Sequence, residues 1–406
     1  MSGSLEATNI SDLKKIYRHS SEITFDSKIL ELKLRLDRTL KYGENPNQGA
    51  AIYFPVSCNG KSISSVVDIE YVRDDNKGKG GLSLTNMMDI SRALDNLKFF
   101  PNPSVIFMKH NTASGFATQI DNYQTTEDLV RLARDADRRS NFGGTLVLNR
   151  SLDMDTARAI YELKKESPFF VDVLAAPEFS EGVLAYLQHE SKTIRIAKFA
   201  GMENLPRFVG DDTRGLFSIK EMPGGRFGIQ DIYLTSIKSA KDFVLRPMVK
   251  KDGQEYAIQT LPTEKQLIDL LTSWYLNIAG ARSNGIVVIR NGVSVSIGSG
   301  LVERVGAVEQ AIIKGMQKAM DREGIKYNPL MGIQGYEQLK DNPFIGAVCS
   351  SDGFFPFDDS IKLLSDHKVA AIVQPYGSLK DYVCIETANE REIAMVATLE
   401  RAFGHF

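Results

Sequence analysis

Lys109 and His110 stand side by side after the apolar run Val105, Ile106, Phe107, Met108 and before the small, polar stretch Asn111, Thr112, Ala113, Ser114, Gly115. An ammonium next to an imidazole is a proton-transfer pair. Histidine titrates near neutrality, and an adjacent cation favours its neutral, basic form. The chain has five histidines, His19, His110, His189, His367 and His405, so histidine chemistry has few seats. The bland alternative is a solvated strand-end lysine beside a hydrogen-bonded loop histidine. Asp172 interrupts the apolar run 169–176, and a carboxylate there needs a partner, in a structural network or on a ligand. Arg304 falls in the first turn of a predicted helix, where the dipole disfavours a cation. It reads as held for an anionic or π-faced ligand. Phe354, Phe355, Pro356 and Phe357 precede Asp358 and Asp359. They form either a hydrophobic staple or an apolar slot for an aromatic ring, with Asp359 accepting from ring N–H groups. Gly43 and Pro46 force a turn beside Lys41 and Tyr42, in a loop that is merely polar or faces a ligand. Gly143 and Gly144 permit close backbone approach, as a turn or as a ligand loop.

These residues need a scaffold. The run 105–108 follows Pro101-Asn102-Pro103 and reads as a central parallel strand, since a continuous apolar run bounded by breakers is buried on both faces. Ligands in open α/β sheets lie beyond the carboxyl ends of strands, so Lys109-His110 would sit at a cleft rim. Helical spacing predicts a helix from residue 84, capped by Thr85 or Asn86, and another from Thr125-Thr126 with acids in its first turn. Further helices are predicted at 155–166, 181–190, 263–279 and 379–389, with a long one from Glu303. Asn291-Gly292 signals a hairpin between strands 286–289 and 293–297. The alternation gives an α/β chain with mixed sheets flanked by helices. Residues 1–30 read as an N-terminal extension with a weak helical pattern at Leu13, Ile16 and Tyr17. Residues 31–260 read as a first subdomain and 261–406 as a second, suggesting an internal duplication. Region 200–260 is the irregular connection, and 78–81 a flexible break.

The bulk numbers bound the reading. The chain has 406 residues, 43% hydrophobic and 25% charged, enough for two cores. A formal net charge of −2 provides no global field for nucleic acid or membrane. Cys58, Cys349 and Cys384 are scattered, so neither a disulfide framework nor a metal-binding CxxC follows, and a reducing cytoplasm fits. The N-terminus has no apolar leader core, and no window reaches the length of a membrane span. The H-x-E and P-C-x-x-C signature of a zinc deaminase is absent, so no zinc is expected.

Taken in order, LKYGENPNQ, MKHNTASG, SNFGG, DVLAAPEF, RSNGIVVIRNG with IGSGLVER, SDGFFPFDDS, VQPYGS and RAFGHF resemble the AICAR transformylase part of the bifunctional purine enzyme that also carries IMP cyclohydrolase. The resemblance covers about residues 35–406, and a stand-alone transformylase is the expectation. It implies two cytidine-deaminase-like α/β subdomains and a homodimer with active sites between subunits. The implied substrates are AICAR and 10-formyltetrahydrofolate. Carried over by position, Lys109, His110 and Asn284 are implied as catalytic. Lys41, Tyr42, Gly143, Asp172 and Arg401 are implied as nucleotide contacts, and Arg304, Phe355, Pro356 and Asp359 as folate contacts. The family's potassium ion would lie near Asp352 and His405. Lys41 stands where arginine is usual, a point charge in place of a planar fork. The rival readings are a nucleotide-binding homologue with altered catalysis and a transformylase with another formyl donor.

Overall fold

A computed structural model describes residues 6–11, 30–58, 61–62, 66–73, 81–166, 170–328 and 335–405. The helical pattern at Leu13, Ile16 and Tyr17, the break at 78–80 and Phe169 lie outside them. The chain opens with β1 (Thr8–Asn9), a ribbon of β2 (Leu32–Thr39), β3 (Ala51–Cys58) and β4 (Lys61–Ser62), then β5 (Asp68–Arg73). A first α/β unit follows: α1 (Leu84–Leu97), β6 (Ser104–Lys109), β7 (Thr112–Thr118), α2 (Thr126–Ala136), β8 (Gly144–Leu148), α3 (Met154–Glu166), β9 (Val171–Ala176), α4 (Val183–Glu190) and β10 (Arg195–Ala200). The connection holds β11 (Phe217–Met222), β12 (Arg226–Asp231), β13 (Pro247–Lys251) and β14 (Gln254–Ala257). The second unit repeats the order of the first: α5 (Glu264–Gly280), β15 (Ile286–Arg290), β16 (Val293–Gly298), α6 (Arg304–Glu323), β17 (Val348–Ser351), α7 (Asp359–Asp366), β18 (Ala371–Gln374), α8 (Asp381–Glu390) and β19 (Ala394–Ala397).

Both units enter one 11-stranded sheet, in the order β19-β18-β17-β15-β16-β7-β6-β8-β9-β10-β5. The seam is antiparallel β16 on β7, registered at Val293 and Ala117, and Phe116 N donates 2.9 Å to Ser294 Oγ beside it. The run 105–108 is not a parallel strand. β6 is antiparallel to both neighbours, β7 and β8. Its apolar run still reflects burial on two faces. Ile106 and Met108 pack in a layer with Leu94 and Trp274, while Val105 and Phe107 pack with Leu129 and Ile160. Each fully buried large side chain contributes about 1.5–3 kcal/mol. The direction of β6 moves the site relative to the rule. Lys109-His110 lies at a hairpin tip, beside the amino ends of parallel β8, β9 and β10.

Strand directions fix the rest. β16 runs antiparallel to β7, β15 and β17 alternate, and β18 and β19 follow β17 in parallel. The amino end of β15 and the carboxyl ends of β17–β19 therefore lie at the same end of the sheet as Lys109-His110. The Asn291-Gly292 turn lies at the opposite end. Local signals explain the helix starts. α1 is capped by Ser83, not by Thr85 or Asn86: Asn86 N donates 3.3 Å to Ser83 Oγ, and the Asn86 side chain closes the box. Thr125 caps α2 with Asp128 in the same way. Among the described residues, no helix is long and apolar enough to cross a membrane.

Candidate functional site

A cleft of about 520 Å³ opens between the β6–β7 tip, the start of α1, the loop at 40–48 and the amino ends of β9 and β10. Lys41, Tyr42, Lys109, His110, Gly143 and Asp172 all line it. The loop is built as its residues demand. Gly43 N donates 2.7 Å to Gln48 O, and Asn45 N donates 2.8 Å to Gln48 Oε1. Two backbone bonds dock it on the helix start, Lys41 N to Leu82 O at 3.1 Å and Leu84 N to Tyr42 O at 3.1 Å. Lys41 is exposed, with Nζ 5.7 Å from the Tyr42 ring centroid.

The hairpin tip holds Lys109 and His110. His110 and Asn111 have φ of 53° and 63°, the left-handed region that side chains avoid unless the surroundings hold them there. Asn111 N donates 2.7 Å to Asp89 Oδ1. Lys109 Nζ donates 2.6 Å to the Phe142 carbonyl, tying the tip to the loop before β8. The glycines there are required. Gly143 has φ of 72°, and a Cβ on Gly144 would lie 3.0 Å from the Met108 carbonyl. Asp172 finds its partner in Arg195, whose Nη1 donates 2.8 Å to Oδ2. Asp89 and Arg195 both line the cleft and were not anticipated from the sequence. Asp89 is 4% exposed. Burial pushes its carboxyl above the usual range, opposed by the Asn111 N–H, the charge of His110, the Thr145 hydroxyl and Lys109. The signal for it was an acid between Met88 and Ile90, on the helix face that buries Met87, Ile90 and Leu94. Arg195 gave none beyond following the acid by one strand.

A second cluster forms around Asn284. Its Nδ2 donates 2.9 Å to the Leu301 carbonyl, and the preceding peptide bond is cis. Ser283 Oγ donates 2.6 Å to Asp352 Oδ2 and accepts from Gly404 N at 3.0 Å. Arg304 pairs with the other oxygen of Asp352 and donates 3.0 Å to Ser351 Oγ. Both members of that pair are buried, so the cation in the first turn of α6 is held by a protein carboxylate. A Cβ on Gly353 would meet Arg304 Nη2 at 2.5 Å. The tail carries Arg401, its guanidinium 4.7 Å from the Phe403 ring, and His405, whose carbonyl accepts from Lys220 Nζ at 2.7 Å. Both side chains are exposed.

In the aromatic turn, Phe355 is fully buried in the core of the second unit, with its N–H 3.0 Å from Gln374 Oε1. Pro356 is half-buried. Phe357 and Asp359 are exposed. Lys380 Nζ lies over the Phe357 ring at 4.5 Å, and Asp359 Oδ1 accepts from Ser360 N at 2.6 Å.

All these residues lie at one end of the sheet, but they do not line one cleft. Asn284, Arg304, Phe355, Pro356, Asp359 and Arg401 are not among the residues lining the 520 Å³ space. β6 and β15 are three strands apart, about 14 Å at the usual spacing. A neighbouring cleft of about 430 Å³ bridges part of that gap, lined by Lys109, His110, Ser114, Ser299 and Lys314. Ser299 Oγ accepts from Arg282 N at 2.7 Å, two residues before Asn284. Among the described residues, no group of three or more His, Cys, Asp or Glu is placed to hold a metal ion.

The family model described as AICARFT/IMPCHase bienzyme matches residues 8–314. The bifunctional purine biosynthesis protein PurH of Persephonella marina is 31% identical over 368 residues, 90% of this chain and 59% of that protein. The protein of the same name from Caldicellulosiruptor bescii is 31% identical over 389 residues, 96% of this chain and 63% of its own. That from Staphylococcus epidermidis is 29% identical over 401 residues, 98% of this chain and 67% of its own. The chain thus spans about three fifths of the length of the first two. With a mixed α/β fold and a match over most of its length, the chain belongs to the AICARFT/IMPCHase bienzyme family.

Proposed function

We propose that the chain transfers a formyl group from 10-formyltetrahydrofolate to the 5-amino group of AICAR, giving FAICAR and tetrahydrofolate in purine biosynthesis. The observation that carries this is the meeting of Lys41, Tyr42, Lys109, His110, Gly143 and Asp172 in one cleft. A ribonucleotide needs a cation for its phosphate, acceptors for its hydroxyls and a proton acceptor at its amine. Lys41 supplies the first. Asp172, held by Arg195, supplies the second, and exposed His110 the third.

The AICAR amine is a poor nucleophile because its lone pair is conjugated with the ring. Its nitrogen bonds to the formyl carbon as His110 takes its proton. Lys109 stabilises the oxyanion that forms. The bond from the formyl carbon to the folate nitrogen then breaks, and His110 returns the proton to that nitrogen. Asn284 would complete the site from a second copy of the chain, in a homodimer with shared sites. The folate would lie toward Pro356 and Asp359, on the exposed side of the aromatic turn. The residues do not fit a potassium ion at Asp352, because Arg304 already balances that carboxylate and Ser283 takes its other oxygen.

The test is a spectrophotometric assay with AICAR and 10-formyltetrahydrofolate. Positioned acid–base catalysis contributes about 10²–10⁴-fold, so His110→Ala should lose at least about two decades of kcat while still binding AICAR. Near-normal turnover of that variant, or no formyl transfer by the wild-type chain, overturns the reading.

A further inference from the structure

The two α/β units set up an internal comparison. In the second unit, buried Asp269 of α5 clamps the turn between β15 and β16. Asn291 N donates 2.8 Å to one of its oxygens and Gly292 N 2.8 Å to the other. In the first unit, Asp89 occupies the same place on α1 and faces the same turn between β6 and β7. The turn residues have the same left-handed backbone in both units: φ of 55° and 73° at Asn291 and Gly292, 53° and 63° at His110 and Asn111. The clamp nevertheless differs. Among the described residues, Asp89 receives a single backbone N–H, from Asn111 at 2.7 Å, and its second oxygen has only a long contact from Thr145 Oγ1, 3.4 Å. That carboxylate lines the cleft with Lys109 and His110. Asp269 uses both oxygens to hold a turn, whereas Asp89 holds the turn with one and has the other in the cleft that His110 also lines.

We propose that Asp89 is a positioning residue for His110, fixing the strained tip on α1 and supplying the anion that favours the imidazolium formed when His110 takes the substrate proton. This deepens the proposed formyl transfer and rests on it. The other charges around the cleft do not substitute for Asp89. Asp172 is paired with Arg195, and Glu44 and Lys41 belong to the loop at 40–48. Lys109 is a cation. On the other side of the tip, Asp137 is paired with Lys318 and Arg139 with Asp321, and Lys314 also lines that cleft. Asp89 is thus the acid on α1 that is hydrogen-bonded to the tip carrying the histidine.

The test compares Asp89→Asn with Asp269→Asn in the full chain. A misplaced catalytic group costs on the order of a hundredfold, so Asp89→Asn should lower kcat by about ten- to a hundredfold with little change in KM for AICAR. Loss of a nearby anion should lower the His110 titration, followed by NMR of labelled histidine and assigned with His110→Gln. Asp269→Asn should leave kcat and titration at wild-type values. If Asp89→Asn matches Asp269→Asn in both readouts, Asp89 is only a turn clamp and the inference fails. If Asp89→Asn does not fold, Asp89→Glu decides instead: it keeps the charge but displaces the tip. A fall in kcat with the titration in place supports the inference, and wild-type kcat overturns it. If the wild-type chain shows no formyl transfer, the NMR arm stands alone. A moved titration then sustains the Asp89 role while the proposed reaction falls, and an unmoved one removes both.

Discussion

Removing Asp352 should expose how the second cluster is held. Its side chain is 1% exposed and that of Arg304 is 7% exposed. Asp352→Ala leaves a guanidinium in the interior with one neutral partner, Ser351 Oγ, and strips Ser283 Oγ of its acceptor. Breaking one side of a buried pair costs about 3–5 kcal/mol. Against a total stability of about 5–15 kcal/mol, that is a large fraction. The assay is equilibrium denaturation of wild type, Asp352→Ala, Arg304→Met and the double variant. Arg304→Met should cost less than Asp352→Ala, because the orphaned carboxylate keeps the Ser283 hydroxyl. The double variant has no stranded charge, so its cost should fall below that of Asp352→Ala alone, with a coupling of about 2–3 kcal/mol. Costs that simply add to within about 0.5 kcal/mol, or an Asp352→Ala cost below about 1 kcal/mol, would refute the argument that each residue is there for the other.

Lys41→Ala should raise KM for AICAR with little change in kcat, since a phosphate cation contributes equally to ground and transition states; steady-state kinetics at varied AICAR checks it. Gly115→Ala should unfold the first unit or cost several kcal/mol, because its Cβ would lie 2.1 Å from the Ala133 carbonyl of α2; thermal melting of the purified variant reads this out. Burial pushes the Asp381 carboxyl up to about 6, and its Oδ1 has no hydrogen-bond partner among the described residues. A carboxyl raised in the folded state contributes stability that is fully present below its unfolded value and lost as pH rises through the folded one. Relative to Asp381→Asn, wild type should therefore lose up to about 3 kcal/mol between pH ~4 and ~7.5; denaturant melts at both ends that differ equally for the two proteins would contradict this.

Much of the scaffold was legible from residues. Thr125 and Asp128 marked a helix start, and Asn291-Gly292 marked a hairpin because glycine advertises a left-handed turn. The same turn at His110-Asn111 carried no glycine, so it went unread and β6 was given a parallel neighbour. A run buried on both faces looks the same whichever way its neighbours point. Ser83 was missed as a cap because Thr85 and Asn86 compete for that role by composition. Lys41, Tyr42, Lys109, His110, Gly143 and Asp172 could be gathered through motifs, since each sits in a locally odd context. Asp89 could not, because its oddness depends on the tip that folds over it. Arg304 looked like a ligand cation only while Asp352, distant in sequence, was out of sight.

The seam of the large sheet sets a limit on dissection. β7 and β16 are interior strands only because each shields the other, and both are short, uncharged and rich in small or β-branched residues. Severing the chain in the stretch between β14 and α5 would bare a hydrogen-bonding margin on either fragment, with no lysine or proline to guard it. Expressed separately, the fragments should precipitate or pair with copies of themselves. Co-expressed, they should find each other and rebuild the intact sheet.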